Sequence, residues 1–129
     1  MRDYLAFLDT KKPVVMGGDL NVAHLDVDIY NVESPHVVKS AGTTPEERQS
    51  FAQTLQSLDF VDTFRKQHPH VTGWYTQWSQ RVGNRPKNRG LRLDYFICSK
   101  RLDVVDGFIC EQTAPWASDH APLGVTLRL

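Results

Sequence analysis

The sequence predicts an α/β fold in which a mixed, mostly antiparallel sheet carries helices on one face. Three stretches lead there. Pro13-Val14-Val15-Met16-Gly17 is a continuous apolar run of strand length. Thr44-Pro45-Glu46-Glu47 opens a helix, and the residues from Leu91 to Cys98 alternate with strand period. Strands and helices are thus interleaved, and the closing strands are hairpin-like, for which one sheet backed by helices is the economical arrangement.

The elements follow in order. Asp3 to Leu8 reads as the last turns of a helix, with Tyr4, Leu5 and Leu8 on one side. The run from Pro13 to Gly17 has the pattern of a strand covered on both faces, and Asp19-Leu20-Asn21 follows at its C-terminal end, where open α/β sheets place ligands. Residues 22 to 42 carry no sustained period and read as a long, functional loop. The next helix has Thr44 as N-cap, Pro45 at its first position and Glu47 closing a capping box, with a core stripe of Phe51, Ala52, Leu55 and Leu58. Trp74 to Trp78 reads as a short strand entering a surface loop rich in cations, glycine and proline. In the strand from Leu91 to Cys98, Leu91, Leu93, Tyr95 and Ile97 point one way, and Arg92, Asp94, Phe96 and Cys98 the other. Gly107 to Gln112 and Pro122 to Leu129 are two further strands.

Composition bounds the chain. With 129 residues and 40% hydrophobic content it has material for one core, so residues 1–129 are expected to form a single unit. Fifteen cations balance fifteen acids, and the distribution says more than the sum: Arg81, Arg85, Lys87, Arg89 and Arg92 form a stretch free of acids. Two cysteines argue against a disulfide framework, and no apolar run approaches the roughly 20 residues of a membrane span. No membrane partner is expected. The N-terminal segment lacks a signal-peptide core, so an intracellular setting is expected: nucleus or mitochondrion in a eukaryote, cytoplasm in a bacterium.

Three polar sites lie at strand ends or inside a strand: Gly18-Asp19-Leu20-Asn21, Arg92-Leu93-Asp94 and Ser118-Asp119-His120. Brought together on one sheet, they would suit phosphodiester hydrolysis. Carboxylates hold a divalent cation and orient water, while a histidine held by a carboxylate contacts a phosphoryl oxygen or moves a proton. Each site also has a plain reading. Asp19 and Asn21 are good turn residues, Asp94 could simply pair with Arg92, His120 could be a structural hydrogen-bonding residue, and the basic stretch could be a solvated surface.

Four stretches in this order, GDLNVAH (18–24), ERQSF with DTFR (47–51 and 62–65), GLRLDYF (90–96) and SDHAP (118–122), resemble the exonuclease III-like abasic-site (AP) endonucleases of the endonuclease/exonuclease/phosphatase superfamily. The GDxN and SDH elements are shared across that superfamily, phosphoinositide phosphatases included; GLRLDYF with GDLNVAH is more specific to the DNA-repair branch. The resemblance implies the C-terminal half of a four-layer α/β sandwich. It also implies Mg²⁺-dependent cleavage 5′ to an abasic site in double-stranded DNA, with Mn²⁺ as an alternative ion and with 3′-exonuclease or 3′-phosphodiesterase activity alongside. In that reading Asp19 activates or orients water, Asn21 contacts the phosphate, Asp94 orients His120, His120 contacts the scissile phosphate, and Asp119 joins Asp19 at the metal.

The resemblance further implies an N-terminal half that supplies an asparagine, a metal-binding glutamate and a tyrosine, so a partner half or chain is expected to cover the sheet. Ser40 replaces an asparagine used near DNA in some members. The abasic-sugar pocket would fall at Gln77, Trp78, Leu91 and Leu93, less aromatic than in members that wall it with rings. Arg81, Lys87, Arg89 and Arg92 are expected to grip the duplex backbone.

Overall fold

The computed structural model describes residues 1–81, 83–113 and 115–129. Helix α1 (Arg2–Asp9), strand β1 (Val15–Asp19), helix α2 (Pro45–Leu58), strand β2 (Phe60–Asp62), helix α3 (Thr63–Gln67) and strands β3 (Asp94–Ser99), β4 (Asp103–Ile109) and β5 (Leu123–Arg128) follow one another along the chain. Three strands form an antiparallel sheet in the order β1-β3-β2, and β4 and β5 form a two-stranded antiparallel sheet. No helix among the described residues is long and apolar enough to cross a membrane.

Helix α2 starts where its signals place it. Thr44 Oγ1 accepts from the Glu47 N–H at 3.3 Å, a cap worth about 1 kcal/mol. The Glu47 carboxylate accepts from the Thr44 hydroxyl at 2.6 Å and from the Gly42 N–H at 2.9 Å, tying the end of the long loop to the helix. Phe51 and Leu58 of α2 and Leu5 of α1 pack on Tyr95 and Ile97 of β3, with Met16 and Leu55 at the edge of this core. A second core joins Phe64 of α3, Tyr75, Trp78, Ile109 and Ala121.

Pleating decides which side of β1 is covered. Val14 and Met16 reach the core, whereas the row Val15, Gly17 and Asp19 is exposed. This corrects the expectation of a strand covered on both faces: the apolar run has two usable sides, and only one meets a helix. In the register, Val15 stands opposite Cys98 and Gly17 opposite Phe96. The Phe96 ring lies so close over Gly17 that a Cβ there would collide with it, and Phe108 of β4 lies over Gly124 of β5 in the same way. Both rings remain partly solvent-accessible.

Other elements depart from expectation for local reasons. Residues 74 to 78 form only isolated bridges, because the N–H groups of Thr76 and Gln77 both bond the single Leu91 carbonyl, at 2.9 and 3.0 Å, a bulge that breaks the ladder. Strand β3 starts at Asp94 rather than Leu91, since the Arg92 N–H is used by the Asp28 carbonyl at 2.9 Å. Strand β4 runs from Asp103 to Ile109, earlier than the expected 107–112. Strand β2 and helix α3 were not foreseen. The strand is three residues long, too short to show a period, and α3 is set off by Asp62, whose carboxylate caps the Arg65 N–H at 3.3 Å.

Candidate active site

The β1–β3 register brings the first two carboxylates together. Asp19, the last residue of β1, stands directly opposite Asp94, the first of β3, so both side chains leave the same face. Beyond Asp19 the chain turns sharply: the Asn21 N–H donates to Asp19 Oδ1 at 2.8 Å, and Asn21 takes a left-handed φ of 52°, which asparagine tolerates well. Asp19 and Asn21 are therefore turn residues, as their plain reading says, and the turn leaves both exposed beside Asp94.

His120 is delivered to the same place by a short bridge. Gln77 pairs with both Leu91 and His120, and the Ala121 N–H donates to the Thr76 carbonyl at 2.7 Å. Ser118 Oγ accepts from the His120 N–H at 3.0 Å and fixes the turn. His120 Nδ1 lies 2.8 Å from an oxygen of Asp94, and its Nε2 faces Asp19 Oδ2 at 4.0 Å. Asp94 is mostly buried, so its carboxylate orients the ring and leaves Nε2 as the outward nitrogen. Such a pair can donate a hydrogen bond to a phosphoryl oxygen or relay a proton.

Asp19, Asp94 and His120 each offer one ligand atom within 4.8 Å of the others, and this group could hold a metal ion. Asp119, expected at the metal with Asp19, is not a member of it; its carboxylate accepts from Gln77 Nε2 at 3.3 Å and its carbonyl from the Trp78 N–H at 3.0 Å. Hard divalent cations such as Mg²⁺ bind through one or two carboxylates and keep much of their water, and the exposed Asp19 fits that chemistry better than the imidazole does.

Arg92 requires two corrections. It neither pairs with Asp94 nor reaches solvent: its side chain is 0% exposed, with Nε 2.7 Å from Asp28 Oδ1 and an NH2 nitrogen 2.5 Å from Asp62 Oδ2. Arg65 adds a second guanidinium at 2.9 Å from Asp28, and its own Nε is buried with no partner among the described residues. Burial works against the Arg92 charge, but Asp62 and Asp28 outweigh it and raise the guanidinium pKa. Arg92 cannot grip a duplex. Arg81, Lys87 and Arg89 do lie exposed on the 81–90 loop.

The expected sugar pocket is also divided. Leu93 and Leu91 pack with Ala23, Ile29 and Val37, while Gln77 bridges Leu91 to His120. Trp78, next to Gln77 along the bulged segment, points into the other core instead and is 3% exposed, so it cannot wall a pocket with them.

Two site-building residues escaped the sequence reading. Thr76 is fully buried and its hydroxyl accepts from the N–H groups of Leu93 and Asp94 at 2.9 and 3.0 Å, which fixes the start of β3. Tyr95 donates to the Val22 carbonyl at 2.6 Å and accepts from the His24 N–H at 3.2 Å, which holds the segment after Asn21; burial foremost raises its phenol pKa, so it stays neutral. Tyr95 lies within GLRLDYF, but only the fold shows where its hydroxyl goes.

The chain belongs to the endonuclease/exonuclease/phosphatase family, which it matches over residues 1–120. It is 45% identical over 127 residues to a DNA-(apurinic or apyrimidinic site) endonuclease of Dictyostelium discoideum, covering 98% of this chain and 34% of that protein. It is 38% identical over 128 residues to an exodeoxyribonuclease of Bacillus subtilis, covering 98% of this chain and 49% of that protein. The crystal structure of an AP endonuclease from Leishmania major superposes with a TM-score of 0.88 at 39% identity, over 100% of this chain and 42% of that one. The chain thus spans between a third and a half of the length of these relatives.

Proposed function

We propose that this chain carries the Asp-Asn and Asp-His parts of a DNA-repair nuclease that hydrolyses the backbone 5′ to an abasic site, with 3′-exonuclease or 3′-phosphodiesterase activity alongside. The observation that carries this reading is the convergence of Asp19, Asp94 and His120, set by the β1–β3 register and the Gln77 bridge. The names of the relatives, AP endonuclease and exodeoxyribonuclease, support the substrate class.

In this reading Asp19 accepts a proton from, or orients, the attacking water. Asn21 donates to a phosphate oxygen, and His120 Nε2 faces the scissile phosphate while Asp94 holds the ring. Mg²⁺, or Mn²⁺ in its place, would be held by Asp19 and would supply charge neutralisation at the phosphate. Arg81, Lys87 and Arg89 would neutralise backbone phosphates, and Gln77, Leu91 and Leu93 would border the abasic sugar. We place the protein inside the cell, in the nucleus or mitochondrion of a eukaryote or the cytoplasm of a bacterium, where damaged duplex is found.

Incision of a duplex carrying one abasic-site analogue, with Mg²⁺ and with EDTA, tests this. Cleavage is expected to need the cation and to fall by about 10²–10⁴-fold in His120→Ala. Cleavage indifferent to both would overturn the reading. The exposed Val15 and the half-buried Phe96, which share one face of the β1–β3 pair, favour one refinement: these 129 residues act only once an N-terminal half covers that face. A folded chain that cuts nothing alone, and gains activity when a polypeptide corresponding to the remainder of its relatives is added, is the result this refinement expects.

A further inference from the structure

Glu111 lies just beyond β4 and Ser118 just before Asp119-His120, and one side chain joins the two. Arg85 donates from NH1 to the Ser118 carbonyl at 2.9 Å and from NH2 to the Glu111 carbonyl at 3.1 Å. Its guanidinium lies over the Trp78 indole, 4.4 Å from the ring centre. That indole is fixed in turn: its Nε1 donates to Asn88 at 3.0 Å, and the Trp78 N–H holds the Asp119 carbonyl. We infer that Arg85 is a positioning residue for the Asp119-His120 turn, holding Ser118 to Glu111, and is not one of the cations that meet DNA.

The chemistry favours arginine for this task. Two carbonyls must be reached at once by donors in a fixed plane, and the same plane must stack on an aromatic face; a lysine ammonium offers a point charge and does neither. The neighbouring cations differ in kind, since Arg81, Lys87 and Arg89 are exposed whereas Arg85 is partly buried and its donors are engaged. The staple also links the segment proposed to touch DNA to the residues just before His120.

The inference rests on the nuclease reading, and the test separates the two. In the active assembly, Arg85→Ala and Arg85→Lys are both expected to lower kcat by roughly 10- to 100-fold, the cost of a small misplacement at a reacting centre, with KM little changed. The slope of log affinity against log salt stays that of the unaltered protein. A slope reduced by about 1 in Arg85→Ala and restored in Arg85→Lys would make Arg85 a phosphate contact and overturn the proposal, as would an unchanged kcat. If the unaltered chain cuts no abasic duplex even with a polypeptide corresponding to the remainder of its relatives added, the nuclease reading has failed, and amide exchange decides the staple separately. Faster exchange at residues 116–119 in both variants supports it; exchange as slow as in the unaltered chain sinks it.

Discussion

Two groups of cations from neighbouring parts of one stretch, 81–92, have opposite fates. Arg92 lies in the interior, between Asp28 from the long loop and Asp62 from the end of β2, with Arg65 completing a cluster of two guanidinium and two carboxylate groups. Arg81, Lys87 and Arg89, a few residues earlier, stand in solvent. The difference is made by partners distant in sequence: Asp28 is 64 residues from Arg92. Charge density along a chain therefore says little about what a cation does; the acids that the fold brings to it decide.

The comparison can be broken most forcefully at its buried end. Arg92→Met leaves Asp28 and Asp62 facing each other without their shared counter-charge. It should cost about 3–5 kcal/mol in urea unfolding, a large fraction of a small domain's stability. A loss under about 1 kcal/mol, within the range of an exposed ion pair, would show the cluster to be ornamental.

A second probe is acid. Burial raises the Asp28 pKa, but Arg92, the Leu25 N–H and Arg65 together lower it below the ordinary value of 3.8. Because the folded value lies below the unfolded one, the stabilisation is complete above the unfolded value. It is lost as pH falls below 3.8 and through the lowered folded value. Unfolding free energy followed over that acid window should decline in the unaltered chain, and the decline should be shallower in Asp28→Asn, whose overall stability is lower. Equal acid slopes in the two would remove Asp28 from the account.

At the exposed end the effects turn from stability to binding. Arg89→Ala should change unfolding by less than about 0.5 kcal/mol, as surface substitutions do, while reducing the salt slope of duplex binding by about 1. An unchanged slope would strike Arg89 from the proposed grip and leave Arg81 and Lys87.

These contrasts also explain what was legible in the sequence. Helix α2 was readable because Thr44, Pro45 and the Phe51–Leu58 stripe are local signals, and β3 because Tyr95-Phe96-Ile97-Cys98, at the end of the expected strand, is an apolar run of strand-forming residues. The Asp94–His120 pair was anticipated through a family likeness in the flanking residues. The geometry that makes it, a Gln77 bridge and a Thr76 hydroxyl, joins segments more than a dozen residues apart. Arg92 was misjudged for the same reason: in sequence its nearest acid is Asp94, and in space it meets Asp28 and Asp62. Trp78 was misplaced because a bulged segment, unlike a regular strand, does not advertise which way each side chain turns.

The rings of Phe96 and Phe108 lie flat over Gly17 and Gly124, their cross-strand partners. Each pair behaves as a single hereditary unit. While the ring at 96 keeps its place, a side chain at 17 has to displace it, and the same holds for 108 and 124. Divergence among related chains should therefore exchange the two members of a pair together: a smaller residue at 96 wherever 17 has gained a methyl, and a lone change at either site filtered out.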